Sequence, residues 1–248
     1  MTREEGDPCS KIEKIIRIAK ETNVKPAFSI ITGDISQNGS TSGYKIAKEY
    51  ISQIESLGGP VIPVMGNVDN RTRFRENLLP GTKMEADNPC YYSKTIEGIR
   101  VIALDSLNPG KETGNLGEEQ LDWLKKELTP LNGPTLITMH HPPFTLHLPN
   151  GRTHTVFGIE SMERFQRIVK NSNVKAVICG HMHQSLNARS KGIHYVVGPA
   201  ALSELYLGKN REIYDASGFT QYTLIENQFT VRPIIVTEGR PLILTKSL

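Results

Sequence analysis

Apolar residues recur along the chain with two different spacings, and each spacing predicts a different kind of element. Spacings of three and four residues, with polar residues between them, are typical of amphipathic helices. Short apolar runs bounded by Gly, Pro or polar residues are typical of buried strands. Helices are predicted at residues 10–22 (with Ser10 as N-cap), 43–57, 118–128 and 161–170. Strands are predicted at residues 28–32, 61–65, 91–94, 99–104, 135–139, 174–179, 194–197, 219–225 and 229–236.

The order of these elements indicates the class of fold. Helices and strands alternate early in the chain, and strands follow strands after residue 193. This order predicts an α/β layered domain with antiparallel additions rather than a purely doubly wound sheet. We expect one domain over residues 1–248. Residues 144–158 are polar and rich in Pro, Gly and His, so they are predicted to form a lid or a binding loop.

Four short polar clusters follow predicted strands at the point where each strand ends. Taken singly, Gly-Asp and Gly-Asn pairs are typical of turns, and a histidine at a strand end is usually only hydrogen-bonded. In open α/β sheets, however, ligands bind at the carboxyl ends of strands. Asp, Asn and His are also ligands of divalent metals, so four such clusters together predict one metal site. The clusters are Gly33-Asp34, Gly66-Asn67-Val68-Asp69, His140-His141-Pro142-Pro143 and Gly180-His181-Met182-His183.

Composition narrows the function classes. Hydrophobic residues make up 38% and charged residues 22% of the 248 residues, as in an ordinary globular enzyme. The net charge of +3 is too weak to indicate nucleic-acid or membrane binding, and no basic, aromatic-studded tract is present. The sequence contains neither an apolar membrane span nor the apolar core of a signal peptide, so a cytoplasmic protein is expected. Three cysteines without motif spacing argue against a disulfide framework.

The four clusters, in this order, resemble motifs of the calcineurin-like metallophosphoesterases. The resemblance runs from about residue 28 to about residue 235 and is greatest for the cyclic-nucleotide and glycerophosphodiester phosphodiesterase branch. Its fold would be a four-layer αββα sandwich. Further stretches that resemble this branch are Ala103-Leu104-Asp105-Ser106 with Pro109-Gly110, Gly114-Asn115-Leu116 and Gln120-Leu121-Asp122-Trp123-Leu124.

The resemblance also implies roles for individual residues. Asp34 would bridge two metal ions, Asn67, His140 and His181 would complete the shell of the second metal, and His183 would bind the first. Asp34, Asn67, His140 and His181 would thus be catalytic, through metal-activated hydroxide. The metals would be manganese, iron, zinc or cobalt, two per site in the family. Asn67, His141 and Arg71 are candidate substrate-binding residues. The alternative for His141 is to support a neighbouring metal ligand, and the alternative for Arg71 is a plain surface role.

The family's first motif, an Asp-x-His after the first strand, has no counterpart before residue 10. Asp7-Pro8-Cys9 has the spacing Asp-x-Cys, but the polar residues 1–6 cannot form the buried strand that should precede a metal ligand. Residues 2–9 are interpreted instead as the loop that follows the first motif. On this interpretation the domain is truncated at its N-terminus. A shortened chain, a misplaced start codon or natural degeneration would each explain the truncation. One metal or none is possible in such a chain. If residues 1–248 are the whole protein, the unpaired strand edges left by the missing strand predict rearrangement, homodimer formation or poor stability.

A second departure is Val68, where the family usually has a histidine that assists catalysis. Valine cannot transfer a proton, and general acid–base assistance typically contributes about a hundredfold to ten-thousandfold. His147 and His154 are candidates for a substitute, although a role as solvated loop histidines is favoured for both.

Two hypotheses follow from these patterns. The first is a metal-dependent phosphoesterase that hydrolyses a small phosphodiester. The alternative is a catalytically impaired or non-catalytic relative that binds a metal, a nucleotide or a protein partner. In either case, specificity is expected to reside in residues 144–158 and 202–215.

Overall fold

The computed structural model describes residues 6–79, 88–128, 133–148, 151–207, 210–226 and 228–246. The helices of this part of the chain are α1 (Pro8–Glu21), α2 (Thr41–Glu55), α3 (Arg71–Leu78), α4 (Glu118–Glu127) and α5 (Ile159–Val169). The first strands are β1 (Ser29–Ile31), β2 (Val61–Pro63), β3 (Tyr92–Ile96), β4 (Ile99–Ala103), β5 (Thr135–Thr138), β6 (Thr145–His147) and β7 (Thr153–Thr155). The later strands are β8 (Val174–Cys179), β9 (Leu186–Ser190), β10 (Ile193–Val197), β11 (Glu204–Leu207), β12 (Arg211–Tyr214), β13 (Gly218–Ile225), β14 (Gln228–Ile235) and β15 (Leu242–Lys246).

A six-stranded mixed sheet lies at the centre, in the order β3-β4-β5-β8-β10-β9. Its four inner strands are parallel, and the edge strands β3 and β9 pair antiparallel with their neighbours. Separate from it, β1 pairs in parallel with β2, and β13 and β14 form a hairpin. Because β5 and β8 run in parallel, the residues after them emerge at the same edge of the central sheet.

Apolar residues cover both faces of the central sheet and define the layers. On one face, Leu121 and Leu124 of α4 and Phe165 of α5 are fully buried against the strands. On the other face, the β1–β2 pair and the β13–β14 hairpin contribute side chains such as Ile62 and Tyr222. Outside that second β layer, α2 buries Tyr44 against Phe74 of α3. The chain is therefore an α/β sandwich, as predicted.

The first helix begins earlier than predicted, and its cap is a different residue. Asp7 is the N-cap, and its carboxylate accepts hydrogen bonds from the backbone N–H groups of Cys9 and Ser10 at 3.3 and 3.0 Å. Pro8 occupies the first turn, where its missing N–H is not needed. The prediction of Ser10 as N-cap was therefore wrong, and Pro8 and Cys9 belong to the helix rather than to a loop.

The segment 144–158 was predicted as a loop without secondary structure, but it contains the antiparallel pair β6–β7. Helix α3 was also missed, because most of its residues are polar; Asn70 caps it, and the buried Phe74 anchors it. Strands β9, β11, β12 and β15 were missed as well. In the described residues, no helix is both long and apolar enough to cross a membrane.

Candidate metal centre

The structure brings residues of all four polar clusters to one place. Asp34 follows β1 and Asn67 follows β2, which are paired in parallel. His140 follows β5 and His181 follows β8, which are neighbours in the central sheet. The four side chains thus approach one another from two different sheets.

Distances between the donor atoms show how close this approach is. His140 Nε2 lies 3.1 Å from Asn67 Oδ1, 3.2 Å from His181 Nδ1 and 3.4 Å from Asp34 Oδ2. His181 Nδ1 lies 3.1 Å from Asn67 Oδ1. Ligand atoms bound at about 2.0–2.2 Å to one ion are separated by roughly 3.0–3.5 Å, so the four donors fit a single divalent metal.

A backbone carbonyl selects the form of His140 that a metal requires. His140 Nδ1 lies 2.6 Å from the carbonyl oxygen of Thr32, which can only accept a hydrogen bond. Nδ1 therefore carries a proton, and Nε2, which faces Asn67 and His181, is the ring nitrogen that would bind a metal. A carbonyl or carboxylate behind a metal-binding histidine is the usual arrangement.

Two positions that pack around Asp34 require glycine: Gly33, which precedes it in the chain, and Gly66, which lies against its carboxylate. A Cβ atom at Gly33 would lie 2.6 Å from His140 Nδ1, and one at Gly66 would lie 2.1 Å from Asp34 Oδ1. Gly33 also has φ +97°, a conformation that side chains rarely adopt. The glycines predicted to permit sharp turns thus also permit close packing around the carboxylate.

Three of the proposed ligands have a left-handed backbone. The φ angles are +54° at Asp34, +66° at His181 and +52° at His183. Such residues cost about 1–3 kcal/mol each and persist where the surrounding structure holds them. Residues with such a backbone occur disproportionately at functional sites. Here Asp34 and His181 belong to the same cluster of donors, and His183 lies two residues after His181.

The charges of the cluster are coupled. Burial alone would raise the pKa of Asp34, but the hydrogen bond and charge of His140, with the Val68 N–H, lower it to about 2. Burial alone would lower the pKa of His140, but Asp34 raises it above its ordinary value. Burial, reinforced by the charge of His140, lowers the pKa of His181 to about 3. Asp34 is thus an ionised carboxylate and His181 a neutral imidazole at ordinary pH.

His141 is completely buried beside the four donors. Its Nδ1 lies 2.8 Å from Ser106 Oγ, which also accepts the backbone N–H of His141 at 3.2 Å. Burial, then the charges of His140 and His181, lower its pKa to about 2, against smaller opposing effects of Asp34 and the Glu112 backbone. Ring nitrogens of His140, His141 and His181 lie within 4.8 Å of one another. A substrate-binding role for His141 stays a prediction.

His183 points its Nδ1 at the carbonyl oxygen of Ser203, 3.1 Å away, and therefore donates that proton. Its charge contributes to lowering the pKa of His181. This tautomer leaves the lone pair on Nε2, which is compatible with metal binding. The predicted place of His183 in a first metal site stays a prediction.

Arg71 is engaged by a buried carboxylate. Its Nε lies 2.8 Å from Asp105 Oδ2, and its Nη2 donates to the Leu107 carbonyl at 2.8 Å. Asp105 also accepts the backbone N–H groups of Cys90 and Leu107. Arg71 therefore braces the segment after β4, and its contact with substrate stays a prediction.

Asp69 belongs to the cluster Gly66-Asn67-Val68-Asp69 and has a structural role that the sequence does not indicate. Its carboxylate accepts the N–H groups of Ile35, Ser36 and Gly66 at 2.9–3.1 Å, and the Tyr44 hydroxyl at 2.9 Å. It thereby ties the loop of Asp34 to the loop of Asn67. The only signal in the sequence was its position three residues after Gly66.

Val68 contacts the site with its backbone: its N–H donates a hydrogen bond to Asp34 Oδ1 at 3.2 Å. Its side chain has no titratable group. His147 and His154 lie on β6 and β7, and His154 is close enough for its charge to contribute to the lowered pKa of His181. A catalytic role for either histidine stays a prediction.

Comparison with known proteins matches residues 6–185 to a family model described as calcineurin-like phosphoesterase. The chain is 30% identical over 190 residues to a probable cyclic nucleotide phosphodiesterase of Rhodococcus erythropolis, covering 75% of this chain and 61% of that protein. It is 34% identical over 164 residues to a probable glycerophosphodiester phosphodiesterase of Arcobacter nitrofigilis, covering 64% and 58%. The chain thus spans about three fifths of the length of these relatives.

Among solved structures, the fold is similar to that of a purple acid phosphatase from yellow lupin. The TM-score is 0.62 at 14% identity, and the match covers 96% of this chain and 48% of that one. At this level of identity the similarity concerns the fold alone.

Proposed function

The chain belongs to the calcineurin-like phosphoesterase family, and from this premise we propose that it is a metal-dependent phosphodiesterase. One observation carries the proposal: donor atoms of Asn67, His140 and His181 lie 3.1–3.2 Å apart, with a carboxylate oxygen of Asp34 at 3.4 Å from His140. The substrate would be a small phosphodiester of the cyclic-nucleotide or glycerophosphodiester type. The names of the two relatives support this class of substrate.

Each residue of the site has a definable task in this proposal. Asp34, Asn67, His140 and His181 hold the metal, and oxygen with imidazole donors suits manganese, iron, zinc or cobalt. When bound, a divalent metal supplies Lewis-acid polarisation of a phosphoryl oxygen and lowers the pKa of water. The Thr32 carbonyl orients His140, and the Val68 N–H orients Asp34.

The experiment is hydrolysis of bis(p-nitrophenyl) phosphate by the purified chain with added Mn²⁺. We expect activity that disappears on chelation and in Asp34→Ala and His181→Ala, and that is retained in His194→Gln, on β10. Cyclic AMP and a glycerophosphodiester, assayed next, choose between the two substrate types. A protein that binds Mn²⁺ but hydrolyses none of these compounds would contradict the proposal.

Val68 favours a second candidate function, that of a non-catalytic relative. A side chain without a titratable group stands where the family usually has histidine. This candidate predicts one metal per chain, measured by calorimetric titration, and no turnover. Two tightly bound metals per chain, or metal-dependent turnover, would exclude it. Cytoplasmic location and homodimer formation stay predictions.

A further inference from the structure

We propose that Arg152, His154 and Arg211 form a second anion site beside the candidate metal centre, and that this site binds a second phosphate group of the substrate. We call these three residues the cationic cluster. The inference rests on the proposed function, because it adds a charged group to the phosphodiester that the metal centre would hold. Two hairpins carry the cluster: Arg152 directly precedes β7, His154 lies on β7, and Arg211 begins β12.

The β6–β7 hairpin is anchored next to the metal centre. Shortly after β7, the Val156 carbonyl accepts a hydrogen bond from the Gly114 N–H at 2.8 Å. Gly114 in turn packs on His141, since a Cβ atom at Gly114 would lie 2.6 Å from Cβ of that residue. His154 lies two residues before Val156 and is paired with Leu146 of β6. The hairpin therefore holds His154 close to the metal centre.

The β11–β12 hairpin adjoins the metal centre as well. The Leu205 N–H of β11 donates a hydrogen bond to the His183 carbonyl at 2.9 Å. Arg211 lies opposite Leu207 in this hairpin, and Leu207 is buried in the core cluster that also contains Val156. Both hairpins thus lie beside the metal centre and share one core.

Electrostatic effects indicate that the three side chains lie near one another. Burial lowers the pKa of the half-buried His154, and the charges of Arg152 and Arg211 lower it further. The charge of His154 in turn contributes to lowering the pKa of His181. No described carboxylate contributes to the pKa shift of His154, and the Arg211 guanidinium makes no hydrogen bond or ion pair within the part of the chain that the structure describes.

This arrangement of charges favours a phosphate group as its partner. Like charges repel one another unless an anion lies among them. Guanidinium groups bind phosphate through parallel N–H···O hydrogen bonds, and two of them match the two charges of a phosphate monoester. The reacting phosphodiester would lie on the four metal-binding side chains, whereas the cluster lies on the two hairpins. The cluster therefore binds a different group of the same substrate, a second phosphate on its sugar or alcohol.

Two substrates with the same leaving group isolate the effect of the second phosphate. They are thymidine 5′-(p-nitrophenyl phosphate) and its 3′-phosphorylated derivative, assayed with Mn²⁺ by release of p-nitrophenolate. We expect kcat/KM to be about tenfold higher for the 3′-phosphorylated compound, mainly through a lower KM, since charge-assisted hydrogen bonds to phosphate are strong. The ratio of the two values is taken within one protein, so it does not depend on the fraction of protein that is folded.

Substitutions in the cluster should lower this ratio, whereas a matched loss of charge elsewhere should not. We expect the ratio to fall to about threefold or less in Arg152→Gln and Arg211→Gln, and to fall in His154→Leu as well. Arg232→Gln, on β14, removes an exposed arginine outside the cluster and should keep the ratio of the unmodified protein. A ratio near one in the unmodified protein, a ratio unchanged in the cluster variants, or an equal fall in Arg232→Gln would overturn the inference.

Binding measurements test the cluster without turnover. In calorimetric titration with Mn²⁺ present, thymidine 3′,5′-bisphosphate should bind about tenfold more tightly than thymidine 5′-monophosphate, and Arg211→Gln should remove most of this difference. The difference should shrink between about 0.05 and 0.5 M NaCl, because salt screens exposed charges. Equal affinities for the two nucleotides at the lower salt concentration would overturn the inference.

The outcomes also separate this inference from the proposed function. Metal-dependent hydrolysis of both substrates with a ratio near one would overturn the role of the cluster and leave the phosphodiesterase proposal standing. Tighter binding of the bisphosphate that depends on Arg211, in a protein without turnover, would support the cluster and contradict the proposed activity. A protein that hydrolyses neither substrate and binds both nucleotides equally would overturn both.

Discussion

At the scale of single residues, backbone packing places the candidate ligands as much as side-chain chemistry does. Asp34, His181 and His183 all have positive φ angles, and glycines stand directly before Asp34 and His181. Sequence reasoning singled out these candidate ligands because Asp, Asn and His follow predicted strands. Asp69 and Ser106 stand in motifs quoted from the sequence, but the sequence assigned no role to either. The four hydrogen bonds that Asp69 accepts and the contact of Ser106 with the His141 ring have no distinctive spacing.

Gly66→Ala tests how tightly the backbone holds Asp34. The new Cβ atom would lie 2.1 Å from Asp34 Oδ1 and 2.2 Å from Asp34 N, so the carboxylate must move by about 1 Å. Displacements of this size cost about a hundredfold in rate, and we expect kcat/KM for bis(p-nitrophenyl) phosphate to fall by at least that factor. Gly117→Ala is the control, because nothing lies within 4 Å of its Cβ position. Equal activity in the two variants would contradict the packing argument.

The buried histidines predict a pH dependence of stability in the metal-free protein. The pKa values of His141 and His181 are about 2 and about 3 in the folded state, against 6.5 ordinarily. Between pH 6.5 and about 3 the unfolded chain therefore binds protons that the folded chain does not. Each histidine lowers the free energy of unfolding by about 1.4 kcal/mol per pH unit as the pH falls through this range. His140, whose pKa is raised above 6.5, adds stability as the pH falls towards 6.5 and contributes no further slope below it.

Comparison of variants isolates one of these contributions. Urea unfolding in EDTA at pH 7.5, 6.5 and 5.5 should show a smaller loss of stability in His181→Gln than in the unmodified protein. His147→Gln, in which the replaced side chain is exposed, should leave the slope unchanged. A slope unaffected by His181→Gln would show that this residue is not held neutral by the fold.

At the scale of elements, a helix or strand could be predicted from the sequence only where its apolar residues form a clear run or stripe. Strand β8 was predicted with its observed bounds because its residues form a continuous apolar run with a single lysine. The β6–β7 pair escaped prediction because its two short strands are mostly polar and half-exposed. Helix α3 escaped for the same reason, since its position depends on the Asn70 cap and the burial of Phe74 rather than on an apolar face.

Helix α1 shows how a polar contact fixes an element that buries no side chain completely. Lys11 Nζ donates to the Leu202 carbonyl at 2.6 Å and lies 2.7 Å from Asp215 Oδ1, with 12% of its side chain exposed. The contact joins α1 to both ends of the segment 202–215, where specificity is expected. Hydrogen bonds to charged groups contribute about 1.5–3 kcal/mol, and solvent at the 41% exposed Asp215 side chain reduces this. We therefore expect Lys11→Met to lower the free energy of unfolding by about 1–2 kcal/mol. Urea unfolding measures it, with the exposed Lys20→Met as control, and an equal effect of both substitutions would contradict it.

At the scale of the whole molecule, the candidate metal centre joins two β layers that also meet through apolar contacts. Asp34 and Asn67 follow the β1–β2 pair, and His140 and His181 follow strands of the central sheet. The sequence predicted both the layers and the convergence, because parallel strands present their carboxyl ends at one edge. Which strands share a sheet was not predictable, since that depends on pairing between segments distant in the chain.

A bound metal should therefore stabilise the junction between these layers more than the rest of the molecule. Since only the folded chain brings the donors together, metal at 100 times its Kd adds about 2.7 kcal/mol to the free energy of unfolding. We expect Mn²⁺ or Zn²⁺ to raise Tm and to slow amide hydrogen exchange more in β1 and β2 than in α4 and α5, which pack on the far face of the central sheet. Asp34→Asn removes the carboxylate charge with little change of shape and should remove most of both effects. Uniform slowing of exchange, or an equal rise of Tm in Asp34→Asn, would show that the metal binds elsewhere, because a ligand bridging two layers must protect the layer that it holds in place.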